Sequence, residues 1–193
     1  MIEREIKLSF ADHEAARHAV LSAGGRLVVS RRLMEDRLFD TTDGQLRAAG
    51  RALRIRRDGR RVLLTSKGPA ASALVKAREE FETEVGDADT VESLLAALGY
   101  RQAFRSEKYR EEFTLAGVVV ALDETPIGVF VELEGAEASI VAAAALLGRT
   151  PADFVRQSYP ALYRAWCHAR GAVPGDMMFA GRSDERPAVG SGL

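Results

Sequence analysis

The stretch I-E-R-E-I-K-L at residues 2–8 decides how this chain is read. Successive side chains of a strand point to opposite faces, so Glu3, Glu5 and Lys7 share one face, about 7 Å from one to the next. Ile2, Ile6 and Leu8 take the other. One charged and one apolar face is ordinary for a strand with one side in water. The stretch gains weight because later strands repeat it, with carboxylates on some and arginine or lysine on others.

Arg54 and Arg56 share a face opposite Leu53 and Ile55, and Lys67 lies with Leu63 and Thr65. Arg78, Glu80, Glu82 and Glu84 share a face opposite Phe81 and Val85. Lys108 and Arg110 lie together, as do Glu132 and Glu134, the latter opposite Val131 and Leu133. For any single strand, a solvated face of an antiparallel sheet accounts for this. Taken together the strands are less bland. Solvated faces intersperse charges of both signs, whereas here like charges sit two residues apart and repel. A divalent cation would compensate Glu3 with Glu5 and Glu132 with Glu134. A bound polyanion would compensate Arg54 with Arg56 and Lys108 with Arg110. If the sheet closes, its polar face becomes a lumen and helices cover the apolar outside.

The bulk numbers set bounds. A length of 193 residues favours one domain, and 47% hydrophobic content suffices for a core. The net charge of −1 argues against a general nucleic-acid binder. One cysteine excludes an intrachain disulfide, and with three histidines it makes a zinc cluster implausible. No apolar run follows a basic start and none is long enough to span a bilayer, so the expectation is a cytoplasmic protein without a membrane partner.

Strands are expected over residues 2–10, 26–41 (as one or two segments), 51–57, 61–67, 77–85, 101–115, 117–123 and 127–134. Asp58-Gly59 is a hairpin signal. Helices are expected over 11–23, 89–98, 137–147 and about 156–170. Adjacent hairpins imply an antiparallel sheet and an α+β class. Residues 1–170 read as a single domain and 171–193 as an extension, disordered from about 182. Met177–Phe179 is read either as a plug for a channel mouth or as a sticky tail segment. Tyr159, Tyr163 and Trp166 are expected to anchor the last helix. Arg31-Arg32 and Arg60-Arg61 are expected to be solvated.

E-R-E-I-K at 3–7 resembles the ExExK signature of the CYTH superfamily, the triphosphate tunnel metalloenzymes. Later segments follow in a similar order: F-D-T at 39–41, L-R-I-R at 53–56, T-S-K-G at 65–68, R-E-E-F-E at 78–82, E-K-Y-R at 107–110, V-A-L-D at 120–123, V-E-L-E at 131–134 and S-Y at 158–159. The resemblance spans about residues 1–170. It implies an eight-stranded antiparallel β-barrel, open as a tunnel, that binds triphosphates with Mg²⁺ or Mn²⁺.

Carried over by position, Glu3, Glu5, Glu132 and Glu134 match the metal-binding acids, and Glu80, Glu82 and Asp123 match further acidic lumen positions counted with the metal set. Lys7, Arg54, Arg56, Lys67, Arg78, Lys108 and Arg110 match the residues that grip phosphates. Lys7 and Lys67 are catalytic candidates. Arg156 is a third, standing for a basic residue of the last helix in some relatives, with Arg164 further along. The function implied is a metal-dependent triphosphatase acting on inorganic or organic triphosphate. A class IV adenylyl cyclase and a non-catalytic polyphosphate- or nucleotide-binding module are the alternatives. The oligomeric state stays open, a homodimer being one option.

Overall fold

A computed structural model describes residues 1–71 and 74–181. The expected disordered tail from about residue 182 lies outside the described residues. The described residues form eight strands: β1 (Ile2–Phe10), β2 (Arg26–Thr41), β3 (Ala52–Asp58), β4 (Arg61–Lys67), β5 (Lys76–Val85), β6 (Tyr100–Leu115), β7 (Val118–Thr125) and β8 (Gly128–Glu134). Five α-helices accompany them among the described residues: α1 (His13–Ser22), α2 (Gln45–Ala48), α3 (Ala88–Ala97), α4 (Glu137–Leu146) and α5 (Tyr159–His168).

The strands close into an antiparallel barrel in the order β1-β5-β4-β3-β2-β6-β7-β8. Closure depends on β1, which pairs with β5 through Glu3↔Arg78 and with β8 through Lys7↔Glu132. The expected α+β class and eight-stranded barrel with flanking helices are thus found.

Local chemistry sets the element ends. Asp12 caps α1 by accepting the Ala15 N–H at 2.8 Å, and Asp87 caps α3 through the Thr90 N–H at 2.7 Å. Gly59, at φ +60°, supplies the left-handed residue of the β3–β4 turn. The last helix is shorter than expected. Pro160 has no N–H to donate and belongs in a first turn, so the helix begins at Tyr159 rather than near 156. The chain beyond β2 turns directly into α2, because Asp40 accepts the N–H groups of Thr41, Leu46 and Arg47.

The apolar core lies outside the barrel. Ile6, Leu8, Phe113, Val120, Leu122, Val131 and Leu133 pack with Val20 of α1 and Ile140 of α4. A second cluster joins Phe39, Ile55 and Val62 to Leu95 of α3. Burying the outward residues under helices turns each strand's charged face inward.

The strands β2 and β6 are both 16 residues long, and β7 pairs with β6 only from Tyr109 onward. Residues beyond α5 cover part of the free edge this leaves. Met177 exchanges backbone hydrogen bonds with Arg105 and Glu107, is 1% exposed, and precedes Phe179, whose ring meets Tyr109. Met177 therefore packs on a strand edge, and the cavity is lined nearby by Pro174 and Gly175. Among the described residues, no helix is long and apolar enough to cross a membrane.

Candidate active site

A cavity of 1610 Å³ runs through the barrel, and all eight strands contribute side chains to its wall. The predicted charged residues form linked groups around it.

Lys67 lies 2.8 Å from Glu3 and 2.6 Å from Glu80, and Arg78 donates to Glu3 at 3.1 Å. Glu5 takes Lys7 at 3.5 Å and a close contact from Lys76. Burial works against its charge, but these cations prevail and hold its carboxyl at about 2. Arg54 donates to Thr65 at 3.1 Å and to Glu82 at 3.3 Å. Arg56 forks onto Asp36 at 2.6 and 2.7 Å. Burial also disfavours the Asp36 charge, yet Arg56 and Arg54 keep its carboxyl well below the usual range.

Asp123 anchors the opposite wall and is 0% exposed. It accepts from Lys108 at 2.8 Å, from both arms of the Arg110 fork at 2.6 Å, and from the Tyr159 hydroxyl at 2.8 Å. Arg110 also contacts Glu132, which lies 3.2 Å from Lys7. Lys7 and Lys108 stand over the Tyr159 ring, 5.2 and 4.9 Å from its centroid. Burial, followed by the neighbouring Arg110, lowers Lys108 to about 8 despite Asp123.

Glu134 differs from these groups. It has no hydrogen-bond or ion-pair partner among the described residues. Partial burial within the channel, and then Glu3 and Glu5 across from it, push its carboxyl up to about 7. Burial and a contact with Glu3 raise Glu80 as well. This patch of oxygen ligands, Glu3, Glu80 and Glu134, has one carboxylate more than Lys67 and Arg78 offset, which suits a hard divalent cation in donor chemistry. As the side chains stand, no three acidic, histidine or cysteine groups among the described residues are gathered to hold a metal.

Three predicted residues are placed differently from the expectation. Lys7 is 2% exposed and sits behind the lining layer, tying Glu5 to Glu132. Asp123 is likewise behind the wall, already saturated by two cations and a phenol. Arg156 is exposed and is not brought to the channel, whereas Arg164 lines it. Val155 exchanges both backbone hydrogen bonds with Lys7, which fixes the chain just ahead of α5 and leaves Arg156 outside.

Arg32, expected in solvent, lines the channel, bonded to Asp58 and to Glu112 at 2.7 Å. Asp36 and Lys76 escaped the sequence reading. Lys76 was within reach of it, since it shares the alternation of Arg78, Glu80 and Glu82 one step upstream. Tyr159 anchors its helix as expected, but its hydroxyl does so on the charged wall.

The CYTH domain family model matches residues 1–159, and the chain belongs to that family. A Methanocaldococcus jannaschii protein named as a candidate adenylate cyclase is 29% identical over 135 residues, covering 69% of this chain and 77% of that protein. The solved structure of PH1819 from Pyrococcus horikoshii is 30% identical with a TM-score of 0.70, covering 83% of this chain and 97% of the other. A Hippeastrum protein, described as a candidate adenylyl cyclase with a dominant triphosphatase activity, shares the fold at 20% identity and a TM-score of 0.63, covering 90% and 97%.

Proposed function

We propose, from membership of the CYTH family, that this protein is a divalent-metal-dependent triphosphatase working inside its barrel. The observation that carries the reading is a barrel channel whose cations converge from five strands beside a carboxylate patch, Glu3, Glu80 and Glu134, that lacks enough positive charge. Arginine forks match phosphate oxygens, and Arg54 and Arg56 of β3, Arg78 of β5 and Arg110 of β6 supply them. Lys108 adds a further positive charge. Each of these side chains exchanges a carboxylate partner for phosphate when substrate enters.

Glu3, Glu5, Glu80 and Glu134, with Glu82 and Glu132 adjoining, would hold the Mg²⁺ or Mn²⁺ that supplies further neutralisation of phosphate charge. Water attacks the terminal phosphorus in line, the bond from that phosphorus to its bridging oxygen breaks, and tripolyphosphate plus water gives pyrophosphate plus phosphate. Lys67, between Glu3 and Glu80, offsets charge developing on the departing oxygen. Lys7 acts one layer back by orienting Glu5 and Glu132. Excluding bulk water strengthens each of these contacts.

A second reading is adenylyl cyclisation, favoured by the name of the Methanocaldococcus relative. There the ribose 3′-hydroxyl attacks the α-phosphorus and pyrophosphate departs. Incubating the purified protein with tripolyphosphate, thiamine triphosphate and ATP in Mg²⁺ or Mn²⁺, with products identified by phosphorus NMR, tests both. Phosphate release supports hydrolysis, and cyclic AMP with pyrophosphate supports cyclisation. Tight binding without turnover in either metal would leave a binding module and defeat the catalytic reading.

A further inference from the structure

The two ends of the channel differ in how their arginines are neutralised. At the end carrying the β3–β4 turn, Arg32 is paired with Asp58 and Glu112, and Arg61 with Glu84. At the other end Arg47, Arg51, Arg101 and Arg164 line the cavity, and none of the four is in an ion pair among the described residues. The nearby acids are already engaged: Asp40 accepts backbone N–H groups, and Asp43 accepts from Thr41 and Gln45.

These arginines arrive at one rim by separate routes. Arg101 is the most telling. Leu38 of β2 pairs with Phe104 while Phe39 pairs with Gln102, so Ala103 is an extra residue in β6. A bulge of this kind shifts the alternation of the strand beyond it. Without it Arg101 would point outward with Arg105. With it Arg101 shares the lumen with Lys108 and Arg110, and its guanidinium donates to the Thr42 hydroxyl. Arg47 and Arg51 flank the Asp40 turn, where the Arg51 N–H returns to the Leu46 carbonyl at 2.8 Å. Arg164 comes from α5, which rests on β6 through Tyr163 against Phe104.

We propose that these four arginines form an outer anion subsite for a phosphate beyond the three held inside, making linear oligophosphates of four or more phosphates preferred substrates. The proposal rests on the triphosphatase reading for turnover, but not for binding. Inside the channel, the cations already share carboxylates. At the rim they do not, so an additional phosphate gains forked contacts there without displacing an acid. Phe104 at the same rim is occupied by Tyr163, which disfavours a stacked base as the occupant.

Calorimetric titration with tripolyphosphate and tetrapolyphosphate, alongside KM for each, tests the subsite in the full chain. The wild type is expected to bind tetrapolyphosphate about tenfold more tightly than tripolyphosphate. Arg101→Ala, and a combined Arg47→Ala, Arg51→Ala, Arg101→Ala variant, should erase that difference while circular dichroism shows an intact fold. Equal wild-type affinity for the two chains overturns the subsite. So does a variant that weakens both ligands by the same factor, which would indicate general electrostatic attraction. If neither ligand is hydrolysed, the triphosphatase reading fails while the binding comparison still decides the subsite.

Discussion

Tyr159 donates its hydroxyl hydrogen bond to Asp123 at 2.8 Å, joining the last helix to the carboxylate that organises Lys108 and Arg110. Asp123→Asn leaves two buried cations short of their partner and should cost about 3–5 kcal/mol. Tyr159→Phe removes one hydrogen bond to a charged acceptor and should cost about 1.5–3 kcal/mol. Urea unfolding of both variants measures the order. If Tyr159→Phe proves the more damaging, Asp123 is not the anchor.

Lys108 makes the channel sensitive to alkali. With its ammonium lowered to about 8, it is charged in neutral solution and loses its proton as pH rises through that value. The alkaline limb of kcat/KM, which reports the free enzyme, should therefore fall with an apparent pKa near 8. Lys108→Arg keeps its charge and should move that limb beyond pH 9. A limb unchanged in this variant would assign it to another group.

Glu134 gives the metal-free protein a pH-dependent stability of the opposite kind to an ion-paired acid. Its carboxyl titrates at about 7 in the fold against 4.5 as a free side chain. The folded state thus binds the extra proton between those values, and stability falls as pH rises through the window. Thermal melts of the metal-free protein should show Tm dropping from pH 5 to pH 8. Glu134→Gln should flatten that slope, and Mg²⁺ should raise Tm most at the alkaline end. A slope that survives Glu134→Gln would discount the crowded carboxylate.

Glu5 shows the converse sign. Held at about 2, it stabilises the fold above its ordinary 4.5, and that contribution is lost as pH falls through 2. Glu5→Gln should abolish phosphate release. It also leaves Lys76 and Lys7 less compensated, at a cost of about 3 kcal/mol. Full activity in this variant would remove Glu5 from the metal set, and undiminished stability in denaturant would show that the lysines relax elsewhere.

The inward charges were legible wherever a strand keeps strict alternation, since the parity of Glu3, Arg54, Lys67, Glu80, Arg110 and Glu132 survives unchanged into the barrel. Parity fails at bulges. The register shift at Ala103 turns Arg101 inward, and nothing in the residue types announces an extra residue in one strand, whereas Arg32 keeps the unbroken alternation of Met34, Asp36 and Leu38. The run R-R-L-M-E-D-R at 31–37 hid Asp36 for a related reason, because both faces of that strand carry charge. Arg156 was misplaced because proximity to α5 in sequence says nothing about the Lys7–Val155 backbone pairing that sends it outward.

Closure of the sheet has an evolutionary corollary. Strand number and stagger fix the bore of a β-barrel, and its ladder leaves no hinge with which to grip a ligand of another shape. Selectivity must then reside in the pattern of headgroups projecting into a nearly rigid pipe. Exchanging a few of them can retune what passes and what reacts while the scaffold stays as it is.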